Sequence, residues 1–174
     1  FLARDYYDAY GLPAVVTRMF NNYGPRQTPR YVTGTIITQA LCRDVVELGY
    51  LKAKRDFCYC EDGVNGYMHI ALAGQPGEAY VYGQGQNISI CEWYELIMAI
   101  GEKAGYWNGK KRLVTNGDRG RLGTTEVEEL LVDYTKLNKL SGWRPQFSWE
   151  DGLLLTIKWY AENRERWLGR VDWK

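Results

Sequence analysis

The residues best suited to hold a charged ligand are a scattered set of arginines and carboxamides. Asn21 and Asn22 sit together, and Arg55 follows a stretch carrying Lys52 and Lys54. Arg119 and Arg121 stand in a glycine-punctuated segment before Thr124, Thr125 and Glu126. A guanidinium presents a rigid fork of donors that matches phosphate oxygens and stays charged at any pH of interest. A carboxamide just past a strand end can donate to the same oxygens. These residue types point to the binding of a diphosphate rather than to bond breaking. Taken singly, each also reads as an ordinary exposed side chain.

Three other segments have the spacing of catalytic or cofactor motifs but the wrong context. Gly83-Gln84-Gly85 lies between an expected strand and an expected helix, where a dinucleotide-binding loop belongs. Ile88 occupies the place of the third glycine, and no acidic residue ends a following strand, so the segment reads as a turn. Tyr50 and Lys54, and again Tyr106 and Lys110, have the spacing that lets a lysine lower a tyrosine's pKa from one helical turn away. Neither pair falls in a stretch of helical pattern. The single histidine, His69, is flanked by Met68 and Ile70 and reads as a helix-face residue without a catalytic partner. Cys58 and Cys60, two apart in an expected strand, would share one face and suit packing better than chelation. The sequence therefore offers no catalytic residue and no metal site.

Composition narrows the class. With 45% hydrophobic and 14% aromatic residues, 174 residues suffice for one folded domain with a core. Lys and Arg number 22 against 21 Asp and Glu, so no basic excess exists to neutralise a nucleic-acid backbone. The apolar runs at 96–100 and 153–155 are far too short to span a bilayer, and no secretory signal opens the sequence. Four cysteines without paired spacing suit a reducing cytoplasm.

Helices and short strands alternate, which predicts an α/β fold. Helical spacing at 1–10 ends at Gly11, and the β-branched run at 14–20 predicts a buried strand followed by a polar turn at 21–25. Further helices are expected at 33–43, 61–72, 89–104, 135–140 and 148–167, and strands at 45–48, 55–60, 78–82, 111–115 and 130–133. Ser89 with Glu92, and Ser148 with Asp151, mark helix starts, and Gly142 marks a helix end.

Several of these stretches resemble one family. Residues 11–27 look like the strand and turn that follow the active-site helix in extended short-chain dehydrogenases acting on nucleotide sugars, notably the dTDP-glucose and GDP-mannose 4,6-dehydratases and related epimerases. Residues 48–63 resemble that family's Arg-Asp-aromatic strand and acidic helix start, and residues 133–145 its Gly-Trp-Arg-Pro landmark. The resemblance implies the C-terminal, substrate-binding part of such an enzyme. Residues 1–27 would be a remnant of the dinucleotide-binding (Rossmann) domain and residues 28–174 the nucleotide-sugar-binding domain.

The same resemblance implies that Asn21, Arg55 and Arg121 bind the substrate diphosphate, with Asn22 and Glu126 as further substrate contacts. Leu122 stands where the family pattern has proline, in the Arg121 to Glu126 stretch. The intact family uses NAD to oxidise the sugar, eliminate water and return the hydride. Its glycine-rich loop and catalytic tyrosine and lysine would precede Phe1, so these residues alone are expected to bind no cofactor and to be inactive. The alternative is a stand-alone sugar-nucleotide-binding or docking module. In either case the expected partners are a nucleotide-diphosphate sugar and a second copy of the chain joined through the N-terminal helix and strand, or a chain carrying the missing Rossmann half. Nucleic acid and membrane are not expected partners.

Overall fold

A computed structural model describes residues 2–115 and 127–171. Its elements are α1 (Leu2–Tyr10), β1 (Val16–Met19), β2 (Asn21–Tyr23), α2 (Val32–Cys42), β3 (Val45–Leu48), β4 (Lys54–Arg55), β5 (Phe57–Tyr59) and α3 (Cys60–Ala73). There follow β6 (Ala79–Tyr82), β7 (Ile88–Ser89), α4 (Ile90–Lys103), β8 (Arg112–Thr115), α5 (Thr135–Ser141), α6 (Trp149–Glu162) and α7 (Arg164–Trp167). They form two compact units. One comprises Phe1–Asn22, Asp56–Asn87 and Leu131–Gln146, and the other Tyr23–Arg55, Ile88–Leu130 and Phe147–Lys174. The chain changes unit at Tyr23, Asp56, Ile88, Leu131 and Phe147.

In the first unit β1 and β6 pair in parallel, Val16 opposite Ala79 and Met19 opposite Tyr82. Parallel neighbours need a crossover, and α3 lies in it. Ile70, Tyr80, Tyr82, Leu137 and Trp143 form its buried cluster. Burying each of the large rings contributes on the order of 2 kcal/mol. Gly66 lets α3 lie against the Tyr82 ring, since a Cβ there would meet Cε2 at 2.4 Å.

In the second unit β3 and β8 pair in parallel and β4 and β7 antiparallel. Helices α2, α4 and α6 pack on one another around Trp93, which is fully buried. Its indole N–H donates to Thr33 Oγ1 at 3.0 Å, and its ring meets Tyr23 and Trp149 edge to face. The polar tip of a buried tryptophan needs such a partner. The helix start signals act as expected: Ser89 and Glu92 form a reciprocal capping box on α4, and Ser148 accepts from Asp151 N at 3.1 Å on α6. Gly142 ends α5 at φ 71°.

Five sequence expectations differ from the structure. Asn21–Tyr23 is not a turn but β2, paired with β5, which satisfies its backbone groups in a ladder. The strand expected at 55–60 is two, because β4 pairs with β7 and β5 with β2 on either side of Asp56. Cys60 therefore begins α3 and does not share a strand face with Cys58. No strand forms at 130–133: only Glu129 bridges to Lys54, and β4 is too short to extend that ladder. The final helix breaks at Asn163, whose carboxamide donates to the Trp159 carbonyl at 2.9 Å and terminates α6.

Helix α4 ends in a close approach that generates a test. A Cβ on Gly101 would lie 1.9 Å from Cζ2 of Trp107, whose indole is fixed by donation to the Met98 carbonyl at 3.1 Å. Gly101→Ala should destabilise the protein by about 1–3 kcal/mol through overpacking, measured as a lower urea midpoint at unchanged slope.

Candidate functional site

The most constrained polar group in the first unit is Asp56, between β4 and β5, with no exposed surface. Its carboxylate accepts from Gln84 N at 2.7 Å, Gly85 N at 2.8 Å and Val132 N at 3.4 Å. Its carbonyl accepts from Asn21 Nδ2 at 3.2 Å. Burial pushes the Asp56 carboxyl above its ordinary pKa, and the backbone N–H bonds pull the other way. The two glycines around Gln84 make the arrangement possible. A Cβ on Gly83 would lie 2.7 Å from Asp56 Oδ1, and Gly85 adopts φ 77° against the Tyr134 ring. The Gly83 to Gly85 turn is thus a cradle for a carboxylate of the protein itself.

That finding tests whether a dinucleotide pyrophosphate fits the turn. It does not: the Gln84 and Gly85 amides already donate to Asp56, and a buried carboxylate stands where a phosphate would approach. The tyrosine and lysine pairs are equally unsuited. Tyr50 lies outside regular structure and Lys54 in β4, and Tyr106 and Lys110 follow the end of α4. His69 is half-buried on α3.

Of the residues expected to bind a diphosphate, Asn21 is exposed at the start of β2, its amide tied to the Asp56 peptide. Asn22 is half-buried and donates to Met19 Sδ at 3.4 Å beside Gly63 on α3. Its side chain packs on the first turn of a helix. Arg55 is half-buried in β4, and its Nη1 donates to the Lys54 carbonyl at 2.8 Å. Arg121 and Glu126 lie outside the described residues, as does Arg119. Asp56 is the residue that sequence reasoning missed. Its signal was a lone carboxylate inside an apolar strand pattern, with two glycines in a later turn able to approach it.

Cys58 is buried, and its thiol is pushed up to about 12, first by burial and then by the Asp62 and Asp56 carboxylates. Asp62 is buried too and accepts from Gln146 N at 2.8 Å. Among the described residues no group of three or more His, Cys, Asp or Glu side chains is placed to hold a metal ion, and no helix is long and apolar enough to cross a membrane.

Residues 1–156 match the family model described as GDP-mannose 4,6 dehydratase. The chain belongs to this dehydratase family. It is 33% identical over 167 residues to a dTDP-glucose 4,6-dehydratase of Actinoplanes sp., covering 95% of this chain and 49% of that protein. Its fold is similar to that of dTDP-glucose 4,6-dehydratase from Bacillus anthracis, solved in complex with NAD: TM-score 0.82, 28% identity, 97% of this chain and 51% of that one. It is also similar to the UDP-glucose 4-epimerase of Thermotoga maritima solved with UDP-glucose: TM-score 0.76, 26% identity, 92% of this chain and 50% of that one. The chain spans about half the length of the relatives it matches. Within this dehydratase family framework, Asp56 belongs to the Arg-Asp-Phe stretch and its cradle to a turn some thirty residues later.

Asp56→Asn keeps the shape but turns an amide N–H₂ towards backbone donors. It should cost about 1–3 kcal/mol, the penalty for a buried donor left facing donors. Thermal unfolding measures it, and an unchanged midpoint would contradict the clamp.

Proposed function

We propose that these residues are the substrate-binding half of a nucleotide-sugar 4,6-dehydratase or epimerase, and that they bind the diphosphate of a nucleotide sugar. The family match over residues 1–156 carries this reading. In it, Asn21, Arg55 and Arg121 hold the diphosphate, Asn22 and Glu126 make further substrate contacts, residues 1–27 belong to the dinucleotide-binding part and residues 28–174 to the sugar-nucleotide part. The chemistry of the side chains supports the assignment. Arg55 brings a permanent charge and a donor fork, and the carboxamide of Asn21 is anchored to the carbonyl of Asp56, the chain neighbour of Arg55.

The reaction of the whole enzyme draws on NAD to accept and return a hydride. Both Tyr-x-x-x-Lys pairs lie off helices, and the Gly83 to Gly85 turn is committed to Asp56. The present residues are therefore expected to bind substrate without turning it over.

Calorimetric titration of the purified chain with NAD and with UDP-, dTDP-, CDP- and GDP-sugars tests this. One sugar nucleotide should bind, NAD should not, and Arg55→Ala should weaken the sugar nucleotide by roughly tenfold, the effect of one charge-assisted contact. Dehydratase turnover by this chain, or binding indifferent to Arg55→Ala, would overturn the assignment.

Association of copies through α1 is part of the same proposal. None of its described residues is buried, and Leu2 and Tyr10 are 70% and 78% exposed, with Tyr6 and Tyr7 beside them. Apolar surface of this kind favours burial against a partner. Light scattering should give a dimer or larger species that Tyr6→Glu dissociates, and a monodisperse monomer would count against it.

A further inference from the structure

We infer that a half-open cavity in the second unit, lined by residues 26–29, by α6 and α7 and by Arg170 just after α7, binds a small phosphorylated molecule with a flat ring, about the size of a nucleoside monophosphate. The inference does not rest on the family reading, and Arg55 does not line the cavity.

Arg26, Arg166 and Arg170 line this cavity of about 290 Å³, together with Trp159 and Trp167. The side chains of Arg26 and Arg170 have no hydrogen-bond or ion-pair partner among the described residues. Among the described residues the Arg166 guanidinium pairs only with its chain neighbour Glu165, at 3.8 Å, with both side chains more than half exposed. Such a contact does little to offset charge. Three guanidiniums around one small space repel one another unless an anion lies between them. Phosphate oxygens fit that role better than a single carboxylate, because each fork can take two of them.

The walls are held in place before any ligand arrives. The Tyr160 hydroxyl donates to the Gln27 carbonyl, Gln27 N to the Gly24 carbonyl at 3.4 Å, and Thr35 Oγ1 to the Pro29 carbonyl at 2.8 Å. Gly34 leaves room for this, since a Cβ there would lie 2.8 Å from the Tyr160 hydroxyl and 2.9 Å from Pro29 Cα. Within the fixed loop Arg26 holds φ 68°, the only non-glycine positive φ among the described residues. Left-handed backbone costs an arginine of the order of 1 kcal/mol, and such outliers gather where a side chain must be aimed. Trp167 is buried and donates to the Tyr160 carbonyl at 2.8 Å, whereas Trp159 is half-buried and can offer ring surface.

Size and lining select the ligand. Small-molecule sites start near 300 Å³. This cavity stands at that lower limit, which suits a ring with one phosphate and not a nucleotide-diphosphate sugar. Inorganic phosphate would engage the arginines and leave the tryptophans unused. A ring stacked beside arginine gains further attraction.

The test is titration of the whole chain with AMP and, separately, with inorganic phosphate, read by calorimetry and tryptophan fluorescence. AMP should bind saturably, quench fluorescence and bind more weakly at high salt. Arg26→Gln and Arg170→Gln should each weaken AMP roughly tenfold, by loss of one charge-assisted contact, without shifting the melting temperature. Trp159→Leu should weaken AMP and leave phosphate unchanged. Arg55→Ala should leave AMP binding intact. No saturable AMP binding at millimolar concentration would overturn the proposal. So would an affinity indifferent to both arginine variants, or one lost in Arg55→Ala instead. Equal affinity for phosphate and AMP, with no effect of Trp159→Leu, would overturn recognition of the ring.

Discussion

A carboxylate removed from water has to be given donors, and the first unit is organised around giving them to Asp56. Leaving such a charge uncompensated would cost several kcal/mol, a large part of the stability of a domain. The donors are backbone amides from Gln84, Gly85 and Val132, far away in the sequence. Delivering them requires β6 to end at Tyr82, Gly83 to approach without a side chain, and Gly85 to turn with positive φ. It also explains why the strand expected through 55–60 divides. Asp56 has its side chain committed to the 84–85 turn and its carbonyl to Asn21, and pairing partners change across it.

What was legible in the sequence was local. Ser89 with Glu92, Ser148 with Asp151, and Gly142 act through neighbours three or four residues away, and each stands where its pattern placed it. The motif order across the chain likewise led to the family that residues 1–156 match. What was not legible depends on partners distant in sequence. Asn21–Tyr23 has the composition of a turn, but β5 offers it a ladder. Residues 130–133 have the composition of a strand, but the single bridge to β4 is made by Glu129, just before them. The glycines of 83–85 looked like a defective phosphate loop because their ligand, Asp56, lies 28 residues from Gln84. Of the candidate site, the residue types were readable and the anchoring of Asn21 was not.

Aromatic residues carry much of the interior, and in the second unit three buried indoles have a partner for the polar tip. Trp93 donates to Thr33, Trp107 to the Met98 carbonyl and Trp167 to the Tyr160 carbonyl. Each pairing fixes a ring in one orientation as well as satisfying an N–H, so the second unit gains directional order that an aliphatic core would lack. That order sets the position of α6 and α7 and of the loop at 26–29, where Tyr160 links helix to loop.

The interleaving of the two units bears on how the chain is made. Val16 pairs with Ala79 and Val45 with Arg112, so neither parallel ribbon can form from a short nascent segment. Closing such loops precedes any reward from the contacts, which slows folding. The first unit takes its last segment from Leu131–Gln146 and the second from Phe147–Lys174. During synthesis, then, neither unit can be finished until most of the chain has left the ribosome. Residues 1–115 must wait with apolar faces uncovered, the kind of exposure that makes an incomplete chain prone to aggregate.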